Sequence, residues 1–172
     1  MIRHLVRRKP LRGLAFYCGI AIPCTVLAQT GHTLHAAVQM HFNGSRAYQY
    51  AQQLVNCGPR WIGSSGHVCA ENFLKKQFAK DHLEEDTFTA DTPAGVMTMH
   101  NFIVKFPGKK NGVIVLASHY ETNYPLRNIH YVGANDGAST SGLLMEMANC
   151  LRGYTLDGDS VWLVFFDGEE AI

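Results

Sequence analysis

No Cys-x-x-Cys pair occurs anywhere in the 172 residues, so a thiolate zinc site is not expected. There is no basic excess either. Lys and Arg number 15 against 14 Asp and Glu, which gives nucleic acid no electrostatic footprint to bind. Charged residues make up only 17% of the chain and hydrophobic ones 47%, a balance that argues against disordered or fibrous structure and fits one ordinary globular domain. The apolar stretch from Leu14 to Leu27 is too short to span a bilayer comfortably.

That stretch follows Arg3, Arg7, Arg8, Lys9 and Arg12 with no acid among them, and Val26-Leu27-Ala28 ends it in a small-residue cleavage pattern. Residues 1–28 therefore read as a signal peptide, with a membrane anchor as the alternative, and a mature chain is expected near Gln29. The expected destination is secreted or periplasmic, with no membrane association after cleavage. Removing five of the 15 basic residues leaves 10 against 14 acids, a formal net charge of −4. Cys18 and Cys24 would leave with the leader. Cys57, Cys69 and Cys150 remain, and buried free thiols are expected, with one disulfide as the alternative.

Residues 29–41 show little periodicity and read as a leader to a domain over residues 42–172. Ala47, Tyr50, Ala51, Leu54 and Val55 recur at helical spacing, with Ser45 placed to cap the start and Gly58-Pro59 to stop it. A second helix is expected from Gly66 to Lys80, with Ala70, Phe73, Leu74 and Phe78 inward. The period then changes. Thr87-Phe88-Thr89 and Val96 to Phe106 have strand composition, as do the wholly apolar Val113 to Ala117 and Val161 to Phe166. The last two predict strands buried on both faces, with a covering helix over Ser139 to Arg152 between them. Strand, helix, strand implies a three-layer α/β sandwich whose ligands lie beyond the carboxyl ends of its strands.

Polar clusters stand at those ends. Ser118-His119-Tyr120-Glu121-Thr122 follows one buried strand, Asp167-Gly168-Glu169-Glu170 follows the other, and Asn135-Asp136-Gly137 opens the helix between them. Each has a bland reading by itself: a satisfied histidine, a solvated turn, a helix cap. Together they gather carboxylates that repel one another unless a cation offsets the charge. Zinc accepts Asp, Glu and His and leaves a position open in catalytic sites, so Asp136, Glu170 and His119 are candidate ligands and Glu169 a candidate proton carrier.

These segments, with Gly58-Pro59-Arg60 and Gly63-Ser64, resemble the zinc aminopeptidase family that includes the glutaminyl-peptide cyclotransferases. The resemblance runs from about Phe42 to the end of the sequence. It implies an αβα sandwich around a mixed, mostly parallel sheet, one or two zinc ions on Asp136 and Glu170, and Glu169 as general acid/base. It gives His119 as a ligand in two-zinc members and as a neighbour of the metal in single-zinc ones. Glu121 replaces the family's usual Asp, which is expected to alter how His119 is oriented. Further strands, helices and a late histidine ligand are expected beyond Ile172, so residues 1–172 alone are expected to be inactive. The substrates implied are peptide N-termini. The leading activity is cyclisation of N-terminal glutamine, favoured by Phe165-Phe166-Asp167-Gly168-Glu169-Glu170-Ala171 and by the long insert Asn123 to Val132. Asn135 before Asp136 favours aminopeptidase activity, and a binding domain that has lost its metal is the third reading.

Overall fold

The computed structural model describes residues 41–170 and 172. The expected signal peptide, and all of the expected leader except His41, lie outside them. Helix α1 spans Gly44–Asn56 and α2 spans Ser65–Gln77. Asn43, rather than Ser45, caps α1: it keeps extended backbone angles and its side chain accepts the Arg46 amide. Ser64 caps α2 in the same way, accepting from the His67 amide at 3.0 Å. No described helix is long and apolar enough to cross a membrane.

Strands β1 (Leu83–Thr92), β2 (Gly95–Phe106), β3 (Val113–His119) and β4 (Ser160–Phe166) form one sheet in the order β1-β2-β4-β3. Helix α3 (Thr140–Leu151) makes the crossover from β3 to β4. The sheet is mixed, but among the described residues only β3–β4 is a parallel pair. β1 and β2 are joined by a tight hairpin turn, which can only make antiparallel neighbours, whereas a parallel pair needs a crossover such as α3.

Phe102 and Val104 of β2 lie opposite Phe165 and Leu163 of β4, so all four share one face of the sheet. They pack with Leu54 of α1, with Ala70 and Leu74 of α2, with Phe78 just after it, and with Leu144, Met145 and Ala148 of α3 in a single core. The three helices therefore cover this face. α1 and α3 cross closely because Gly142 has no side chain: a Cβ there would sit 2.6 Å from the Ala47 carbonyl oxygen. Glu146 of α3 is buried against α1, accepting from the Asn43 amide at 2.9 Å and from Arg46 Nη2 at 2.7 Å. The opposite face of the sheet carries Val113, Val115 and Phe166, which are 46%, 53% and 39% exposed. The burial expected on both sides of β3 is thus not found. β3 is an edge strand here, and no described helix packs on that second face.

The expectation of free thiols is also corrected. Cys57, just after α1, is bonded to Cys69 of α2, while Cys150 is a buried free thiol. The spacing of 12 residues left both readings open, and only the approach of the two helices decides between them. Closing a loop of this size removes denatured-state entropy worth about 3 kcal/mol in the chain-entropy account. Replacing Cys57 and Cys69 together by alanine is expected to lower the unfolding free energy by about that amount, read from urea denaturation under non-reducing conditions. An unchanged midpoint would show that the bridge contributes nothing.

Candidate metal centre

Because β3 and β4 run parallel in register, with His119 opposite Phe166, their carboxyl ends finish side by side. The chain after each strand is then tied to the other. Glu121 is fully buried, and its Oε1 accepts the amides of Glu169 at 2.8 Å and Glu170 at 2.9 Å. The third segment arrives from α3, which begins in a kinked, widened turn over Ala134–Ser139. Asp136 is extended there (φ −89°, ψ 107°) and Gly137 takes φ +81°, a left-handed angle that glycine adopts without strain. A Cβ on Gly137 would lie 2.9 Å from His119 Cε1, so the bare backbone is also what lets this turn lie against the imidazole.

The three segments bring His119, Asp136 and Glu170 together: one donor atom from each lies within 4.8 Å of the other two. His119 Nε2 is 3.1 Å from Asp136 Oδ1, Tyr131 Oη donates to Asp136 Oδ2 at 3.1 Å, and Asn123 Nδ2 donates to Glu170 Oε2 at 3.1 Å. His119 also groups with Glu121 and Glu169 at the same spacing. An open cavity of about 690 Å³ is lined by His119, Asp136, Thr140, Phe166 and Glu169 among others. His119, Asp136 and Glu169 thus line one space, and Glu170 joins it through its approach to His119 and Asp136.

Electrostatics separate the carboxyl groups. Burial by itself would raise Asp136, but hydrogen bonds with Glu170, Tyr131 and His119 outweigh it and hold the carboxyl below its usual range. Glu121 moves the other way: burial raises it, against the lowering effect of the backbone amides it accepts and of His119. An imidazole nitrogen with two carboxylates is a donor set that zinc takes, and the cavity leaves a further position open. His119 Nδ1 and Glu121 Oε2 are both buried with no hydrogen-bond partner, so the polar groups here are not closed among themselves. The residues present fit a divalent metal.

Glu121 does not orient His119 by a hydrogen bond, because its Oε1 is 3.7 Å from His119 Nδ1, beyond bonding range. Its work is to fix the turn that carries Glu169 and Glu170. Two further features were not singled out from the residues alone. The Arg60 side chain is fully buried and donates to the carbonyls of Tyr120 (2.8 Å), Val132 (2.8 Å), Leu54 (3.2 Å) and Gly133 (3.3 Å). Burial lowers this guanidinium to about 10, with Glu121 the first of the charges opposing the shift. His67 is buried beside Asp167 and Glu71; burial pushes its imidazole down, but Asp167 and then Glu71 outweigh it and leave the net shift upward. For Arg60 the only signal was its place beside Gly58-Pro59, and for His67 there was none, since its partner is 100 residues away.

Residues 101–172 match the model of Peptidase family M28. In sequence the chain is similar to the glutaminyl-peptide cyclotransferase-like protein of Bos taurus, 32% identical over 66% of this chain and 32% of the relative. In structure it is similar to a glutaminyl cyclase from an Acidobacteriales bacterium, with a TM-score of 0.73 and 56% identity over 76% of this chain and 46% of that one. A Zn-dependent exopeptidase from Parabacteroides distasonis shares the fold, with a TM-score of 0.65 at 23% identity over 76% of this chain and 48% of that one. The likeness carried by the motifs therefore extends over 66% of the chain in sequence and 76% in architecture. The chain spans about a third of the length of the curated relatives it matches and under half that of these solved structures.

Removing the clasp should loosen the site without touching a candidate ligand. Glu121→Ala in the full-length protein is expected to weaken zinc binding about 10- to 100-fold, measured by competition with a chelator. Glu121→Gln, which keeps a carbonyl oxygen for the same two amides, should recover most of the loss. Equal affinity in Glu121→Ala and wild type would show that the clasp does not hold the site.

Proposed function

We propose that this chain is part of a zinc-dependent glutaminyl-peptide cyclotransferase that converts an N-terminal glutamine to pyroglutamate and releases ammonia. The observation that carries the reading is the meeting of His119, Asp136 and Glu170 within 4.8 Å, beside a cavity that Glu169 also lines. The names of the relatives, and the 56% identity to one glutaminyl cyclase, support the choice of reaction.

Asp136 and Glu170 would hold the zinc, with His119 as a third ligand or as a neighbour that orients Asp136. Zinc, when bound, supplies a Lewis acid for the substrate's γ-carbonyl. Glu169 accepts a proton from the α-amine, whose nitrogen then attacks the γ-carbonyl carbon and closes the five-membered ring. The bond from that carbon to the amide nitrogen breaks, and Glu169 returns the proton to the departing nitrogen so that it leaves as ammonia. The balance needs no water. The Glu121 clasp keeps Glu169 at the cavity while its proton load changes.

The second reading is an aminopeptidase, favoured by Asn135 before Asp136 and by the match to Peptidase family M28. There Glu169 would activate water against the first peptide bond. Incubating the full-length protein with Gln-X and Leu-X peptides separates the two. Pyroglutamyl product with ammonia supports the cyclase, free leucine the peptidase, and neither product, with no zinc in the purified protein at neutral pH, a binding domain. Glu169→Gln is expected to lower kcat about 10²- to 10⁴-fold on whichever substrate is turned over, and wild-type turnover would remove Glu169 from the mechanism. We also propose export through the signal peptide over residues 1–28. Sequencing the N-terminus of the exported protein should place the start near Gln29, and a retained Met1 would contradict cleavage.

A further inference from the structure

Asp167 lies two residues before Glu169, its side chain wholly buried, and the reaction above gives it no task. Every face of it is nonetheless tied down. Oδ1 lies 2.9 Å from His67 Nε2, Oδ2 accepts the His100 amide at 2.9 Å, and the Asp167 amide donates to Asn101 Oδ1 at 3.0 Å. With the carboxylate as acceptor, His67 Nε2 donates the shared hydrogen. His67 is itself fixed: its ring stacks on Tyr120 with centroids 5.5 Å apart, its amide is bonded to the Ser64 cap, and Nδ1 is 3.6 Å from Glu71 Oε1.

The turn that follows is therefore held at two points. Glu121 grips the amides of Glu169 and Glu170 from the segment after β3, and His67 grips Asp167 from α2. Between them Gly168 takes φ +70° and leaves no room for a side chain, since a Cβ would sit 2.4 Å from Met99 Sδ. With both ends anchored and the middle pressed on Met99, the direction in which Glu169 leaves the backbone is set. If the His67 donor is lost, a buried carboxylate is left short of a partner, which costs stability. The turn can relieve that cost by swinging Asp167 toward water, and Glu169 moves with it.

We propose that His67 is a positioning residue for the reaction, holding Glu169 in place through Asp167 from a helix that contributes nothing else to the site. The inference rests on the reading of Glu169 as the proton carrier. A displacement of about 1 Å at a reacting group can cost about 100-fold in rate, so the effect belongs in kcat.

The test uses the full-length protein and a Gln-X peptide. His67→Phe keeps a ring against Tyr120 and loses the donor; it is expected to lower kcat about 10- to 100-fold while KM and zinc content stay at wild-type values. His67→Gln, whose amide can donate to Asp167 near the imidazole Nε2 position, should recover most of kcat. If His67→Phe does not fold, the double variant His67→Phe/Asp167→Asn removes the uncompensated buried charge and should show the same loss. Wild-type kcat in the donor-free variant, or no recovery with His67→Gln, overturns the proposal. So does a loss of zinc, which would show that His67 acts on the metal ligands and not on Glu169 alone. Glu169→Gln, run alongside, separates the two levels. Full activity there defeats the proton-carrier reading, whereas an inactive Glu169→Gln beside a fully active His67→Phe defeats only the positioning role.

Discussion

A buried arginine with no carboxylate bonded to it holds the ends of this fold together. Arg60 spends its guanidinium on backbone carbonyls from the last turns of α1, from the residue after β3, and from the loop that leads into the Asp136 turn. The carbonyls of Tyr120 and Val132 lie outside any helix or strand and have no ladder to satisfy them, while those of Leu54 and Gly133 also accept the amides of Cys57 and Ala138. One rigid planar cation with several donors can serve several loops at once, which a lysine could not do with the same geometry. The Cys57–Cys69 bridge closes the loop in which Arg60 sits, so its own backbone is confined as well.

From that anchor the site follows by a chain of short contacts. Arg60 fixes the chain around Tyr120, which places Glu121; Glu121 fixes the amides of Glu169 and Glu170; His67 fixes Asp167. The candidate ligands are left comparatively free, bonded to one another and to Tyr131 and Asn123 rather than to the core. The division suits a centre that has to accept a cation: the backbone beneath it is stiff, while the carboxylates facing the cavity keep hydrogen bonds that a metal can replace. Two buried polar atoms, His119 Nδ1 and Glu121 Oε2, remain without partners at the boundary between the two zones.

The sheet shows the same asymmetry between its two faces. The face toward the helices is closed by Phe102, Val104, Leu163 and Phe165, and its packing is dense enough that Gly142 is needed for α1 and α3 to approach. The other face presents branched and aromatic side chains to solvent along β3 and at the end of β4. An apolar strand at an open edge is the arrangement that folded proteins ordinarily cover or blunt.

Local pattern by itself determined the helix over Ala47–Val55, the helix expected from Gly66 to Lys80 and found over Ser65–Gln77, the helix expected over Ser139 to Arg152 and found over Thr140–Leu151, the strands Val96–Phe106, Val113–Ala117 and Val161–Phe166, and the clusters that follow them. These signals lie within a few residues of one another, so periodicity reports them directly. The clustering of His119, Asp136, Glu169 and Glu170 was legible for a related reason: strand ends and a helix start are local features, and α/β sheets gather them at one edge. What the sequence could not decide were pairings between distant residues. The disulfide, the pairing of β2 with β4, the clasp of Glu121 on two amides, and the grip of His67 on Asp167 each join segments whose separation along the chain carries no trace of their distance in space. A side chain's local pattern says which face of its element it occupies. Only the packing of elements against one another decides what waits there.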